Sequence, residues 1–127
     1  MSRFVIDASA VLAILQGEAG ARTAAELARE ALFSTVNFAE VLAKASDRGI
    51  EVDATVALIA DLGLVIAPFD HEQAVAAARL RAPTRYRDGS QADRACLALA
   101  QVRGLPVLTG DRDWAALDLG IATRLFR

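Results

Sequence analysis

Three short apolar runs, Phe4-Val5-Ile6, Leu32 to Thr35 and Leu64-Val65-Ile66, each precede a much longer stretch of helical character. Val107-Leu108-Thr109 and Ala122 to Leu125 add two more short runs near the end of the chain. Runs this short and this apolar are strands buried on both faces, and strands alternating with helices predict a parallel or mostly parallel sheet of about four or five strands in a three-layer α/β/α arrangement. The 28 alanines support the helices between them. Helices are expected over Ser9 to Gln16, closed at Gly17, and over Ala19 to Ala31. Further helices are expected from Val36 to Arg48 with Gly49 beyond it, from Asp53 as a cap to Leu62, from Asp70 to Leu80, and from Ser90 to Arg103. The polar segment Arg81 to Gly89, with Pro83, reads as a loop, and a turn or short helix is expected near Trp114 to Leu117. With 127 residues and no linker or repeat, residues 1–127 are expected to form a single domain.

In a sheet of this kind ligands bind beyond the carboxyl ends of the strands. Asp7 ends the first strand, and Asp111 lies just past Val107-Leu108-Thr109. Glu40 is in the helix that follows the second strand, and Asp93 is in the first turn of the helix opening at Ser90. Four carboxylates of distant sequence origin can therefore converge at one rim. Each also has a purely local role open to it. Asp7 can cap the first helix; Glu40 can pair with Lys44 at i,i+4 or complete a cap with Asn37. Ser90-Gln91-Ala92-Asp93 has capping-box spacing, and Asp111 or Asp113 can open the Trp114 turn.

The set is more informative than its members. Clustered carboxylates repel and destabilise a fold unless a cation compensates them. Oxygen ligands without His or Cys point to Mg²⁺ or Mn²⁺ rather than zinc, and four acids suffice for one such ion or for two. The chemistry that follows is hydrolysis of a phosphate ester. On this reading Asp7 and Asp93 contact the metal directly, Asp111 completes the set, and Glu40 holds or orients a water.

The net charge of -2 looks unfavourable for a nucleic-acid partner. The four acids alone account for -4, however, and 13 of the 14 basic residues are Arg, the side chain suited to bidentate phosphate contacts. Arg79, Arg81, Arg85, Arg87 and Arg94 crowd near Asp93 and are candidate RNA contacts, although a charged helix end and a solvated loop would look the same. Cys96, the single cysteine, lies in an apolar run and reads as a buried structural thiol. His71, the single histidine, reads as a surface residue in a first turn. The longest uncharged stretch, Ala8 to Gly17, is far below the roughly 20 residues of a membrane span, so a cytoplasmic protein is expected.

Four segments, FVIDASAVLAIL, STVNFAEVLAK, DGSQADRACLALA and PVLTGDRDW, occur in order and together resemble PIN-domain ribonucleases, in particular the VapC-type toxins of bacterial toxin–antitoxin pairs. The resemblance implies a PIN-like fold and Mg²⁺ or Mn²⁺ held by Asp7, Glu40, Asp93 and Asp111. It further implies cleavage of transfer or ribosomal RNA, a homodimer, and silencing by a small VapB-like antitoxin. Ser9 in the D-x-S turn, Asn37 in T-x-N-x-x-E, and Thr109 are possible auxiliaries, with Asp113 a further acid. Gln91 departs from the family pattern at a position that is usually apolar. The Ala-rich helices Ser9 to Gln16 and Ala19 to Ala31 are expected to help form a groove for an antitoxin helix. Other readings of the acids are a metal-dependent phosphatase or DNA nuclease and a non-catalytic binding module. A phosphorylation receiver domain would need a second acid beside Asp7 and a Lys after the last strand, and neither is present.

Overall fold

The computed structural model describes residues 1–84 and 90–127. Five strands form one sheet: β1 (Val5–Ile6), β2 (Leu32–Ser34), β3 (Val65–Ala67), β4 (Val107–Thr109) and β5 (Thr123–Leu125). Their order is β3-β2-β1-β4-β5, and every pair is parallel. The first strand of the chain is thus the central one. Among the described residues eight helices cover the sheet: α1 (Ala8–Gln16), α2 (Ala21–Ala28), α3 (Thr35–Asp47), α4 (Val52–Ala60), α5 (His71–Arg79), α6 (Arg81–Thr84), α7 (Gln91–Arg103) and α8 (Arg112–Ala116). The expected three-layer α/β/α architecture is what forms.

Successive strand residues point to opposite faces, so each short strand feeds two cores. Ile6, Phe33 and Leu108 join Val11, Val41 and Ile59 on one face. Val5, Leu32 and Val107 join Leu97, Leu99 and Trp114 on the other. Six consecutive residues of α7, Ala95 to Ala100, are buried, which is why this helix shows no polar face along its middle. At roughly 25 cal/mol per Å² of apolar surface, one fully buried leucine such as Leu99 contributes about 2 kcal/mol.

The boundaries differ from expectation in a few places. Residues 81–84 form the single turn α6 rather than loop, with the Thr84 hydroxyl donating to the Leu80 carbonyl at 2.7 Å. The second helix is shorter than expected because Gly20 enters it with φ +82° and Arg29 leaves helical geometry at ψ 128°. Asp53 does not cap α4; Glu51 holds the cap position and Asp53 sits in the first turn. Asp70 does cap α5, accepting from the Gln73 N–H at 2.9 Å. None of the helices among the described residues is long and apolar enough to cross a membrane.

Candidate functional site

Because the strands are all parallel, their carboxyl ends share one edge, and the acids expected there are carried to it by different elements. Asp7 follows β1 and is the N-cap of α1, only 4% exposed. Its Oδ1 accepts the Ala10 N–H at 3.0 Å, and its Oδ2 accepts the Thr109 hydroxyl at 2.7 Å. The Ser9 hydroxyl donates to the same carboxylate, 2.7 Å from Oδ1 and 2.9 Å from Oδ2. All these donors are neutral. Burial pushes the Asp7 carboxyl above its ordinary value, the hydrogen bonds from Thr109, Ser9 and Ala10 oppose that, and the nearby Asp93 charge raises it further.

The neighbouring strand end is tied to Asp7 through two hydroxyls. Thr109 accepts the Asp111 N–H at 3.0 Å while donating to Asp7. Ser9 accepts the Gly110 N–H at 3.2 Å while donating to Asp7. Asp111 then caps α8, its Oδ1 accepting the Asp113 N–H at 2.9 Å. Asp113 itself is exposed in the first turn of α8.

Asp93 completes a capping box at the start of α7. It accepts the Ser90 N–H at 3.1 Å, and its own N–H donates to the Ser90 hydroxyl at 3.1 Å. Asn37, 2% exposed in the first turn of α3, reaches across to this turn: its amide N–H donates to the Ala92 carbonyl at 2.9 Å, and its Oδ1 is buried without a hydrogen-bond partner. Glu40, one turn further along α3, pairs with Lys44 at 3.8 Å. A local role open to each of the four acids in the sequence is therefore realised.

Cys96 senses three of these acids. It is wholly buried against the Ile6 carbonyl at 3.8 Å, and burial pushes its thiol well above the usual range, with the charges of Asp7, Asp93 and Glu40 adding to the effect. Three acids thus bear on one buried point beneath the rim. It is the structural thiol expected, not a nucleophile.

The donor set suits a hard divalent cation, since it is all oxygen and its most buried carboxylate has only neutral partners. Among the described residues no three His, Cys, Asp or Glu side chains form a ready cage. Mg²⁺ does not require one, because it is bound through one or two carboxylates and keeps several waters.

The arginines expected to bind RNA divide between different surfaces. Arg81 and Arg94 line one cleft with Phe69 and Gln91, and Arg79 lines another with His71 and Glu72. Arg85 and Arg87 lie outside the described residues. A third cleft, of about 450 Å³, opens beside Ser9 and carries Lys44, Arg48 and Arg127. Arg48 and Arg127 were not legible as site residues, because nothing in their spacing ties the end of the chain to Ser9. Of the two helices expected to shape an apolar groove, α1 lines a small cavity through Leu12 and Leu15; its other walls come from α3 and α4 rather than α2.

The sequence model of the PIN domain matches residues 4–119. No curated protein matches the chain. Among solved structures, the fold is similar to a toxin–antitoxin complex from Klebsiella pneumoniae, with TM-score 0.73, 21% identity, and 94% of this chain and 96% of that one covered. It is also similar to a DNA-bound VapBC from Salmonella typhimurium, with TM-score 0.76, 19% identity and 100% of both chains covered. FitAcB from Neisseria gonorrhoeae matches with TM-score 0.66, 20% identity, and 94% and 95% covered. The five-stranded parallel sheet, the acids at its carboxyl edge and the match over residues 4–119 agree: the chain belongs to the PIN domain family.

Proposed function

We propose that this chain is a metal-dependent endoribonuclease, a VapC-type toxin restrained by a small VapB-like antitoxin and acting on transfer or ribosomal RNA. The observation that carries the reading is the buried Asp7 carboxylate at the carboxyl edge of the sheet, joined to Asp111 through Thr109, with Asp93 carried on the first turn of α7 and Glu40 one turn into α3. Asp7 and Asp93 would hold Mg²⁺, for which Mn²⁺ substitutes, with Asp111 and Glu40 completing the set. A divalent ion there would supply Lewis-acid activation of water and neutralise charge developing on the phosphodiester.

The chain's own residues have separable tasks. Ser9, Thr109 and the Ala10 N–H fix the Asp7 carboxylate in one orientation. The capping box fixes Asp93, and Asn37 holds the turn that carries it. Glu40 pairs at 3.8 Å with a half-exposed lysine rather than capping a helix, so it is the acid assigned to take a proton from the attacking water. Asp7, Asp111 and Asp93 also stand at the starts of α1, α8 and α7.

The toxin part of the reading is supported by the solved neighbours, which include toxin–antitoxin complexes. It is supported too by exposed Ile50 and Leu58, which line the small apolar cavity between α1, α3 and α4 where an antitoxin helix could pack. On this reading the whole chain acts as one PIN unit, as a homodimer in the cytoplasm.

The test uses purified protein, freed of any antitoxin, with structured RNAs and Mg²⁺, beside Asp7→Asn and Asp93→Asn and a parallel DNA substrate. RNA should be cleaved by the wild type alone, and EDTA should abolish cleavage. Cleavage that survives in both variants or in EDTA overturns the metal mechanism, and cleavage of DNA alone overturns the substrate. Expression should arrest growth, and a short protein encoded beside the gene should relieve it.

A further inference from the structure

We infer that the cleft beside Ser9, between α1, the end of α3 and the tail after β5, is a docking site for the phosphodiester backbone of single-stranded RNA leading away from the carboxylate rim. This rests on the endoribonuclease reading and adds where the strand lies. The cleft of about 450 Å³ is lined by Lys44, Arg48 and Arg127 against Glu18 and Asp47, so its walls carry a surplus of positive charge beside an acidic rim.

Two of its residues touch site acids directly and a third lies one step away. Ser9 donates to Asp7, Lys44 pairs with Glu40 at 3.8 Å, and the Arg127 guanidinium lies over Gly110, whose N–H donates to Ser9. A Cβ on Gly110 would stand 2.7 to 2.9 Å from that guanidinium, so the glycine is what admits Arg127 to this position. A strand passing the acids therefore meets these cations next.

Arg127 is held by its backbone and left exchangeable at its tip. The preceding Phe126 is 4% exposed, with its N–H donating to the Thr109 carbonyl at 3.3 Å. Arg112 donates to the Arg127 carbonyl at 3.2 Å. The guanidinium's acidic partner is Glu18 at 3.8 Å, with the two side chains 38% and 44% exposed. A surface pair that long is weak, and a phosphate offers the planar guanidinium a better bidentate partner.

Among the described residues the lining of this cleft is charged, polar and aliphatic, with no aromatic ring. Its chemistry suits phosphates, so the cleft grips backbone.

The test is binding of a short fluorescein-labelled single-stranded RNA of mixed sequence to the full chain in EDTA, measured by anisotropy across a salt series. The variants are Arg127→Gln, Arg48→Gln, the double variant, Arg127→Lys and, as a control, Arg79→Gln. Each of the first two should weaken binding by about 3- to 10-fold at low salt and lower the slope of log affinity against log salt by about 0.7, the value for one phosphate contact on a single strand. Arg127→Lys should keep the slope, and Arg79→Gln should change neither quantity. If the wild type binds RNA and the double variant binds it equally well, the docking site is overturned while the ribonuclease reading stands. Variants that keep RNA affinity but lose an antitoxin also overturn it, in favour of a protein ligand. If the wild type binds no RNA in EDTA, the docking site is overturned, while the ribonuclease reading is decided by the cleavage assay with Mg²⁺.

Discussion

Thr109 donates its hydroxyl to Asp7 at 2.7 Å, joining residues 102 positions apart and locking the end of β4 to the end of β1. The same oxygen accepts the Asp111 N–H. Thr109→Val keeps the shape but leaves a buried carboxylate short of a donor and an N–H short of an acceptor. It should cost about 2 kcal/mol in urea unfolding and abolish most nuclease activity, whereas Thr109→Ser should restore both. A valine variant as stable as the wild type would show that this bond holds nothing together.

Asp7 sets a dependence on pH whose sign is fixed by burial. Its carboxyl is raised, so the folded protein keeps that proton to a higher pH than the unfolded chain does. Its contribution to stability is full in acid and is lost as pH rises through the folded value. In EDTA at neutral pH, Asp7→Asn should therefore be at least as stable as the wild type, by about 1 kcal/mol, and the difference should vanish in acid. Added Mg²⁺ should raise the Tm of the wild type and not of the variant. A neutral-pH Asp7→Asn protein that is much less stable than the wild type in EDTA would contradict this.

Cys96 should be inert. Its thiol is buried and pushed well above the ordinary range, so iodoacetamide at neutral pH should leave it unmodified in the folded protein and alkylate it once urea has unfolded the chain. Mass spectrometry reads both states. Rapid labelling without denaturant would mean that the floor of the site opens readily.

Two glycines with positive φ should respond differently to alanine. Gly20, φ +82°, would place a Cβ 2.5 Å from the Phe126 carbonyl oxygen, whereas Gly17, φ +65°, has nothing within 4 Å. Gly17→Ala should cost about 1 kcal/mol for the left-handed backbone alone. Gly20→Ala carries the same penalty and must also push the tail away, so it should cost about 3 kcal/mol and weaken RNA binding through Arg127. Equal losses in urea unfolding would show that the tail does not pack on Gly20.

The strands and the four acids were legible because their signals are local: apolar runs bounded by Gly or Pro, and carboxylates placed just beyond them. Asp7 and Asp93 could be read both as caps and as site acids; the structure shows both in capping roles, and their role as site acids belongs to the proposed function. The cap of α4 was misplaced because Glu51 takes the position without a side-chain hydrogen bond, leaving no residue preference to betray it. Arg127 was invisible because its place depends on Gly110 and Phe126 packing from different elements. Hydrophobic periodicity cannot convey that kind of relation.

The sheet order has a consequence for how the chain is made. β1 is made before the strands that flank it yet sits at the centre, and β4, which brings Thr109 and Asp111 to Asp7, is made about a hundred residues later. A nascent chain can hold Asp7, Glu40 and even Asp93 without the strand that closes the rim. Assembly of the acid rim is thus postponed until β4 has been made.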